Sequence, residues 1–328
     1  MNNILITGGN GFLGSNFLNY MVNKYPNINF YNYDCNYYSS SKKNTELLND
    51  KDNYKFFDKK LQDKDFLLNF LYKNNIDIII HFAGQTNIDD SFYNSSIYIE
   101  DNINATYTLL ECINIYNKIN RFIYISSDEV YGENLNNDIK TEETLLSPTN
   151  LYGASKASVE MLLKSSYYSY NLPIIIVRCN NIYGKNQYIE KVIPKFIIQI
   201  ISNKYITIQG DGNIKRSFLY INDFINGLEI ILNNGLVGNI YNIGSNDEIS
   251  IIDLAKKLLH LIKGYDYLYI NNNLHKHIYY IKDRKYNKKN CSISYDKIKS
   301  LGWEKKYSFD EGLLETINWY INNFNYWD

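Results

Sequence analysis

Short apolar runs alternate with stretches whose apolar positions recur every three or four residues through the first half of the chain. The runs at 3–7, 28–33, 54–57, 76–82, 122–126 and 174–178 predict strands, and the helical patterns fall at about 12–18, 64–74, 95–118 and 152–170. The runs at 76–82, 122–126 and 174–178 are largely Ile, Val and Phe, as in strands covered on both faces. Strand-helix alternation at this spacing predicts an α/β fold with a doubly wound parallel sheet.

Beyond Tyr183-Gly184 the alternation loosens. Helices are expected at about 191–202, 221–233, 251–263 and 309–323, with a turn at Gly210-Asp-Gly212 and a basic, Asn-rich loop at 282–290. The reading is a large domain, 1–184, to which 217–244 returns through a strand near 238–244. A smaller C-terminal substrate-binding lobe is built from 185–216 and 245–328.

Composition changes this picture little. The 34 basic and 35 acidic residues nearly cancel, so no bulk attraction draws the chain to nucleic acid or an anionic membrane. No apolar run approaches a membrane span, and Ile4-Leu5-Ile6 begins a strand without a basic leader, so a cytoplasmic protein is expected. Cys35, Cys112, Cys179 and Cys291 are too scattered for a metal site or a disulfide framework. The 33 tyrosines, with abundant Asn, Ile and Lys, reflect AT-rich codons rather than a binding platform.

The first strand runs into Thr7-Gly8-Gly9-Asn10-Gly11-Phe12-Leu13-Gly14, with Gly8, Gly11 and Gly14 spaced as G-x-x-G-x-x-G. Glycine lets the backbone turn tightly and approach a pyrophosphate, which the free N–H groups of a helix N-terminus then bind. Asp34 ends the second strand and would accept hydrogen bonds from the adenosine ribose hydroxyls while repelling a 2′-phosphate. The domain is therefore expected to be Rossmann-type and to take NAD rather than NADP.

Tyr152 and Lys156 stand four apart at the start of a helix, on one face of it. There an ammonium lowers a phenol's pKa and suits it to take a proton from an alcohol, with Ser127 donating to the same oxygen. A carbinol base explains oxidation, but not the two further carboxyl groups of Asp128-Glu129 beside it. Once an alcohol becomes a ketone, the adjacent C–H is acidic enough for a carboxylate to remove. A second, protonated carboxyl group can then release a β-hydroxyl as water. Taken alone, the pair could also be a solvated loop.

With these residues in place the chain resembles the nucleotide-sugar 4,6-dehydratases of the extended short-chain dehydrogenase/reductase superfamily. The resemblance runs nearly end to end. It is carried by 126–133, Tyr152-Gly-Ala-Ser-Lys156, His81-Phe-Ala-Gly-Gln85, Arg178-Cys-Asn-Asn-Ile-Tyr-Gly184, Glu190-Lys-Val-Ile-Pro194 and Gly210-Asp-Gly-Asn-Ile-Lys-Arg216. It implies that Tyr152 takes the proton of the sugar 4-hydroxyl, Glu129 the C5 proton, and that Asp128 protonates the departing 6-hydroxyl. It adds Phe12, Leu13, Leu61, Phe82, Ala83, Gly84 and Asn102 to the cofactor site. Gln85, Thr86, Asn87, Asn181, Lys191 and Arg216 are implied for the substrate, and a homodimer through the helices near 95–118 and 152–170.

Departures from the family bear on the substrate. A His common in the sugar-facing segment is Asn87, leaving an N-acetyl group at C2 open. Lys60-Leu61 replaces Asp-Ile near the adenine, and Asp101-Asn102 replaces Thr-Asn. Asn287-Lys-Lys-Asn-Cys291 stands where the bacterial dTDP-glucose enzymes have His-Asp-Arg-Arg-Tyr. Ile251, where those enzymes carry Asn, resembles the eukaryotic UDP-glucose dehydratases. The expected substrate is thus UDP-glucose or UDP-N-acetylglucosamine, for deoxysugars such as rhamnose. The alternatives are dTDP-glucose, an epimerase or decarboxylase on the same scaffold, and an inactive sugar-nucleotide-binding protein.

Overall fold

The computed structural model describes residues 2–134, 138–288 and 292–327. Its large sheet is built from β1 (Asn3–Thr7), β2 (Asn29–Asp34), β3 (Tyr54–Asp58), β4 (Ile78–His81), β5 (Arg121–Ile125) and β6 (Ile174–Cys179). The last strand to join comes from far along the chain. Three lobe strands intervene, β7 (Asn181–Tyr183), β8 (Ile206–Gln209) and β9 (Lys215–Tyr220), before β10 (Ile240–Ile243) pairs parallel with β6. The seven-stranded order is β10-β6-β5-β4-β1-β2-β3, parallel throughout. The order reverses between β1 and β4, and ligands of such sheets bind in the crevice beyond the carboxyl ends of strands at that point. The glycine loop, Phe82–Gly84 and Ser126–Glu129 all leave the sheet at that edge.

Apolar residues of the strands point alternately into two cores. Ile4, Ile6, Ile78, Ile80 and Ile123 join one cluster, while Leu5, Ile79, Phe122 and Tyr124 join the other. That is why the strand runs are continuous rather than alternating. The first cluster continues into the lobe through Phe196, Phe218, Leu254 and Trp303. There β9 pairs with β7 and with β11 (Glu248–Ser250), and β8 pairs with β12 (Ile278–Ile281).

Two helices depart from expectation. The first runs on to Lys24, since Met21 and Val22 extend its buried face. The intervening asparagines disguise this in the sequence, but Asn19 and Asn23 turn their amides back to the carbonyls of Ser15 and Asn19. The helix expected at 95–118 is three pieces: Ser95–Tyr98, a π-turn at Ile99–Asn104, and Ala105–Tyr116. Asn75, Asn117 and Asn171 end helices in the left-handed region at φ 47, 51 and 53°. In this glycine-poor chain, asparagine takes the C-terminal role glycine usually fills.

Candidate active site

A cavity of about 480 Å³ lies over the carboxyl edge of the sheet, between it and the lobe. Gly8, Gly11, Phe12, Leu13, Gly14, Asp34, Leu61, Phe82, Ala83 and Gly84 line it on one side. Ser127, Asp128, Glu129, Tyr152 and Lys156 stand in its middle. Gln85, Thr86, Asn87, Asn181, Lys191 and Arg216 complete the wall.

The glycine loop is a cradle with no room for side chains. Gly8 has φ +69°, and a Cβ there would sit 2.6 Å from the Ala83 backbone nitrogen. At Gly14 a Cβ would sit 2.3 Å from the Gly8 carbonyl oxygen. Asn10 fixes the turn from beneath: its backbone N–H donates to Asp34 Oδ2 at 2.9 Å, and its side-chain oxygen accepts from Asn32 and Thr45. The other Asp34 oxygen accepts from the Asn36 N–H at 2.8 Å. Burial nevertheless raises the Asp34 pKa. A buried acceptor beside a backbone cradle suits a dinucleotide's ribose and pyrophosphate, so the residues present fit NAD.

Asn102 is placed differently from the other cofactor candidates. It does not line the cavity but lies behind it, wholly buried. Its side-chain oxygen accepts from the Gln85 N–H at 2.6 Å, and its amide donates to the Gln85 carbonyl and to Ser155 Oγ. The π-turn carries Asn102 and orients it as a brace for the Gly84-Gln85 loop.

The acid pair opens a single 3₁₀ turn, Asp128–Tyr131, directly after β5. Ser127 caps that turn, accepting from the Glu129 N–H at 3.2 Å, and its hydroxyl also meets the Asp128 carboxylate and the Tyr152 phenol. Neither acid is solvated, at 6% and 9% exposure, which removes the loop alternative. Gly153 allows the helix Leu151–Tyr170 to approach the turn closely, since a Cβ there would sit 2.8 Å from the Glu129 carbonyl.

Two carboxyl groups side by side in a dry site cannot both ionise freely. Burial raises the Asp128 pKa, and the neighbouring Glu129 charge adds to the rise. Burial also works against the Glu129 charge, but it is outweighed by Lys288 and by the Asn150 amide, so its pKa is lowered. Lys288 Nζ lies 2.9 Å from Glu129 Oε1 and 3.6 Å from Asp128 Oδ2, while Asn150 Nδ2 donates to Glu129 Oε2 at 2.7 Å. The two pKa values are thus pushed in opposite directions, Glu129 toward the ionised form a base needs and Asp128 toward the protonated form an acid needs.

The expected drop in the Tyr152 pKa is not found. Burial pushes the phenol up, with Ser127 opposing it. Lys156 instead donates to the Ile125 carbonyl at 2.9 Å, and burial pushes its pKa down to about 8. The amine is therefore still mostly an ammonium at neutral pH.

Several substrate candidates already have partners within the protein. Asn87 caps the turn Ile88–Ser91 through the Asp90 N–H and donates to Glu190 at 2.7 Å, which leaves it poorly suited to read a C2 acetamido group. Lys191 donates to the Thr86 carbonyl, Asn181 to the Ser217 carbonyl, and Arg216 to Asn287 Oδ1 at 2.8 Å. Gln85 is tied to Asp101 at 2.7 Å. Sequence reading missed Lys288 and Asn150. Asn150 is a helix N-cap before Leu151, a signal that could have been read. Lys288 sits in a loop without periodicity; Lys289, Asn290 and Cys291 of that segment lie outside the described residues.

A dinucleotide cradle, a Tyr-x-x-x-Lys helix and an acid pair on one sheet edge define the class: a nucleotide-sugar-modifying enzyme of the extended short-chain dehydrogenase/reductase type. Comparison narrows it. Residues 5–316 match the GDP-mannose 4,6 dehydratase family, and the chain belongs to that family, among the nucleotide-sugar 4,6-dehydratases. The chain is 41% identical to the dTDP-D-glucose 4,6-dehydratase of Dictyostelium discoideum, over 99% of this chain and 82% of that one. It is 38% identical to a trifunctional UDP-glucose 4,6-dehydratase/epimerase/reductase of Arabidopsis thaliana, over 99% of this chain but 48% of that one. The crystal structure of dTDP-glucose 4,6-dehydratase from Bacillus anthracis in complex with NAD superposes with TM-score 0.90 at 34% identity, covering 100% and 99% of the two chains.

Proposed function

We propose that the chain converts a UDP-hexose, UDP-glucose first among them, to the UDP-4-keto-6-deoxy sugar. One observation carries this reading: Asp128 and Glu129 are buried side by side next to Ser127 and Tyr152, in the cavity that the glycine loop also lines, with the Asp128 pKa raised and the Glu129 pKa lowered. NAD, when bound, supplies the hydride acceptor for C4 and later the hydride donor for C6. Gly8, Gly11, Gly14 and Asp34 would hold it.

Tyr152, ionised at the start of the step, receives the proton of the 4-hydroxyl with Ser127 donating to the same oxygen, and gives that proton to solvent before the next cycle; the Lys156 ammonium on the same helix face favours the ionised form. The ketone acidifies C5, and Glu129 removes that proton. Asp128 gives its proton to the 6-hydroxyl as the C6–O bond breaks, and water leaves. Glu129, now protonated, returns a proton to C5 as C6 is reduced, so the acids begin a new cycle once Asp128 regains its proton from solvent. Arg216, Lys191 and Asn181, all on the cavity wall, would take the diphosphate, a planar guanidinium fork being suited to it.

For the base, Ile251 on the cavity wall supports UDP. The Dictyostelium relative favours dTDP-glucose as the second reading. The Asn87 geometry gives N-acetylglucosamine no support beyond the sequence departure itself. Exposed Tyr107, Met161 and Tyr168, on the helices Ala105–Tyr116 and Leu151–Tyr170, support a homodimer. Among the described residues no helix is long and apolar enough to cross a membrane. Incubation with UDP-glucose, dTDP-glucose and UDP-N-acetylglucosamine, followed by alkali, tests the reading through the absorbance of a 4-keto-6-deoxy sugar. UDP-glucose should give the highest kcat/KM, and no product from any of the three would overturn the reading.

A further inference from the structure

The base and the acid of the elimination are told apart by a residue from the other side of the cleft. Lys288 belongs to the lobe loop between β12 and the last helix, yet its side chain is 4% exposed and ends between the two carboxylates. Its distances are unequal, 2.9 Å to Glu129 and 3.6 Å to Asp128. Glu129 therefore has a donor on each oxygen, Lys288 on Oε1 and the Asn150 amide on Oε2, an arrangement that only the ionised form satisfies. On Asp128 the Ser127 hydroxyl stands at 3.3 Å and the ammonium at 3.6 Å, both longer than the Lys288–Glu129 contact. Next to Lys288 in the chain, Asn287 holds Arg216, so one loop addresses both the acid pair and the diphosphate-facing guanidinium.

We propose that Lys288 is a positioning residue for the elimination step: it fixes Glu129 as the carboxylate that takes the C5 proton and leaves Asp128 to protonate the leaving hydroxyl. The proposal rests on the dehydratase reading above. In the step concerned, the C5–H bond breaks and its proton passes to Glu129. The electron pair forms the C5–C6 double bond, and the C6–O bond breaks as oxygen takes the Asp128 proton. The neighbours that also bear on the pair are Arg216, whose charge acts on both acids, and Tyr152, on which both acids act. Among the described residues, Lys288 is the cation in an ion pair with Glu129. Lys288 pairs with the two acids, while Lys156 donates to the Ile125 carbonyl and Tyr152 meets Ser127, so oxidation at C4 is expected to proceed without Lys288.

The test compares wild type, Lys288→Met and Lys288→Arg on UDP-glucose and on UDP-glucose deuterated at C5. Losing one charge-assisted bond to the base should lower kcat of Lys288→Met by about ten- to a hundredfold. The C5 isotope effect on kcat should rise above the wild-type value, reduced nicotinamide should accumulate during turnover, and KM should stay within about twofold. Lys288→Arg should recover most of kcat. A Lys288→Met enzyme with wild-type kcat and isotope effect would overturn the assignment. So would a fall in kcat without a change in isotope effect, which marks mere loss of folded enzyme, or a rise in KM alone, which marks a phosphate ligand. Wild-type enzyme that made no ketosugar would instead overturn the dehydratase reading on which this role depends.

Discussion

The Arg178 guanidinium lies 2.6 Å from the Glu160 carboxylate, with both side chains at most 3% exposed. Arg178 also donates to the Tyr131 hydroxyl and the Glu142 carbonyl, and Glu160 accepts from Ser126. Tyr131 in turn donates to Asn242 on β10. The 3₁₀ turn that presents the acid pair is therefore held at both ends, by Ser126 before it and Tyr131 at its close.

Breaking this pair from one side leaves a buried charge without its partner, at a cost of about 3–5 kcal/mol. Glu160→Ala should lower the denaturant midpoint accordingly and reduce kcat by loosening the turn. Replacing both members with apolar residues, Glu160→Leu with Arg178→Met, should restore much of the stability but not the activity. Equal losses from the single and double variants would contradict this account.

Gly8→Ala should abolish tight cofactor binding. The left-handed backbone alone costs a residue with a Cβ about 1–2 kcal/mol, and this Cβ would collide with the Ala83 backbone. Titration with NAD, followed by tyrosine and tryptophan fluorescence, should show affinity lowered by tenfold or more. Unchanged affinity would mean that the cofactor does not lie on this turn.

His81 is wholly buried between the Thr7 and Thr106 hydroxyls, at 2.6 and 2.8 Å, and burial pushes its pKa down to about 3. The unfolded chain binds that proton at about pH 6.5, so the native state holds fewer protons below it. Its contribution is fully present above pH 6.5 and is lost as pH falls toward 3, by up to about 1.4 kcal/mol per pH unit. His81→Asn should cost stability at pH 7.5 yet show a shallower decline between pH 6.5 and 5 in urea titrations. Parallel declines in the two proteins would show that His81 is not held neutral.

Glu129→Gln and Tyr152→Phe should fail at different steps. The amide cannot take the C5 proton, so oxidation should proceed and reduced nicotinamide should build up on the enzyme. Without the phenol the 4-hydroxyl keeps its proton, and no reduced nicotinamide should appear. Normal turnover by both would remove the roles given to them.

Much of this site was legible before any coordinates, because its parts are short and local. Gly8, Gly11, Gly14 and Asp34 announce a cradle by spacing alone, and Tyr152 and Lys156 announce a shared helix face. The inner strand runs, at 3–7, 76–82, 122–126 and 174–178, read correctly because burial on both faces leaves them almost continuously apolar. What stayed hidden depends on contacts between distant segments. Lys288 reaches the acids from a loop some 160 residues away, with no periodicity to mark it. The hydrogen bonds of Asn102 to Gln85 and of Asn87 to Glu190 likewise join segments far apart in sequence. The Tyr152 pKa went the other way because spacing shows a neighbour and does not show the burial that outweighs it.

The central claim is an internal redox cycle with elimination between its halves, and UDP-glucose carrying deuterium at C4 tests it most directly. The hydride taken from C4 should return to C6 of the same sugar. The account predicts a UDP-4-keto-6-deoxy product with deuterium in its C6 methyl group, seen by mass spectrometry and NMR. A product that keeps its 6-hydroxyl and carries deuterium back at C4 would contradict it and mark an epimerase.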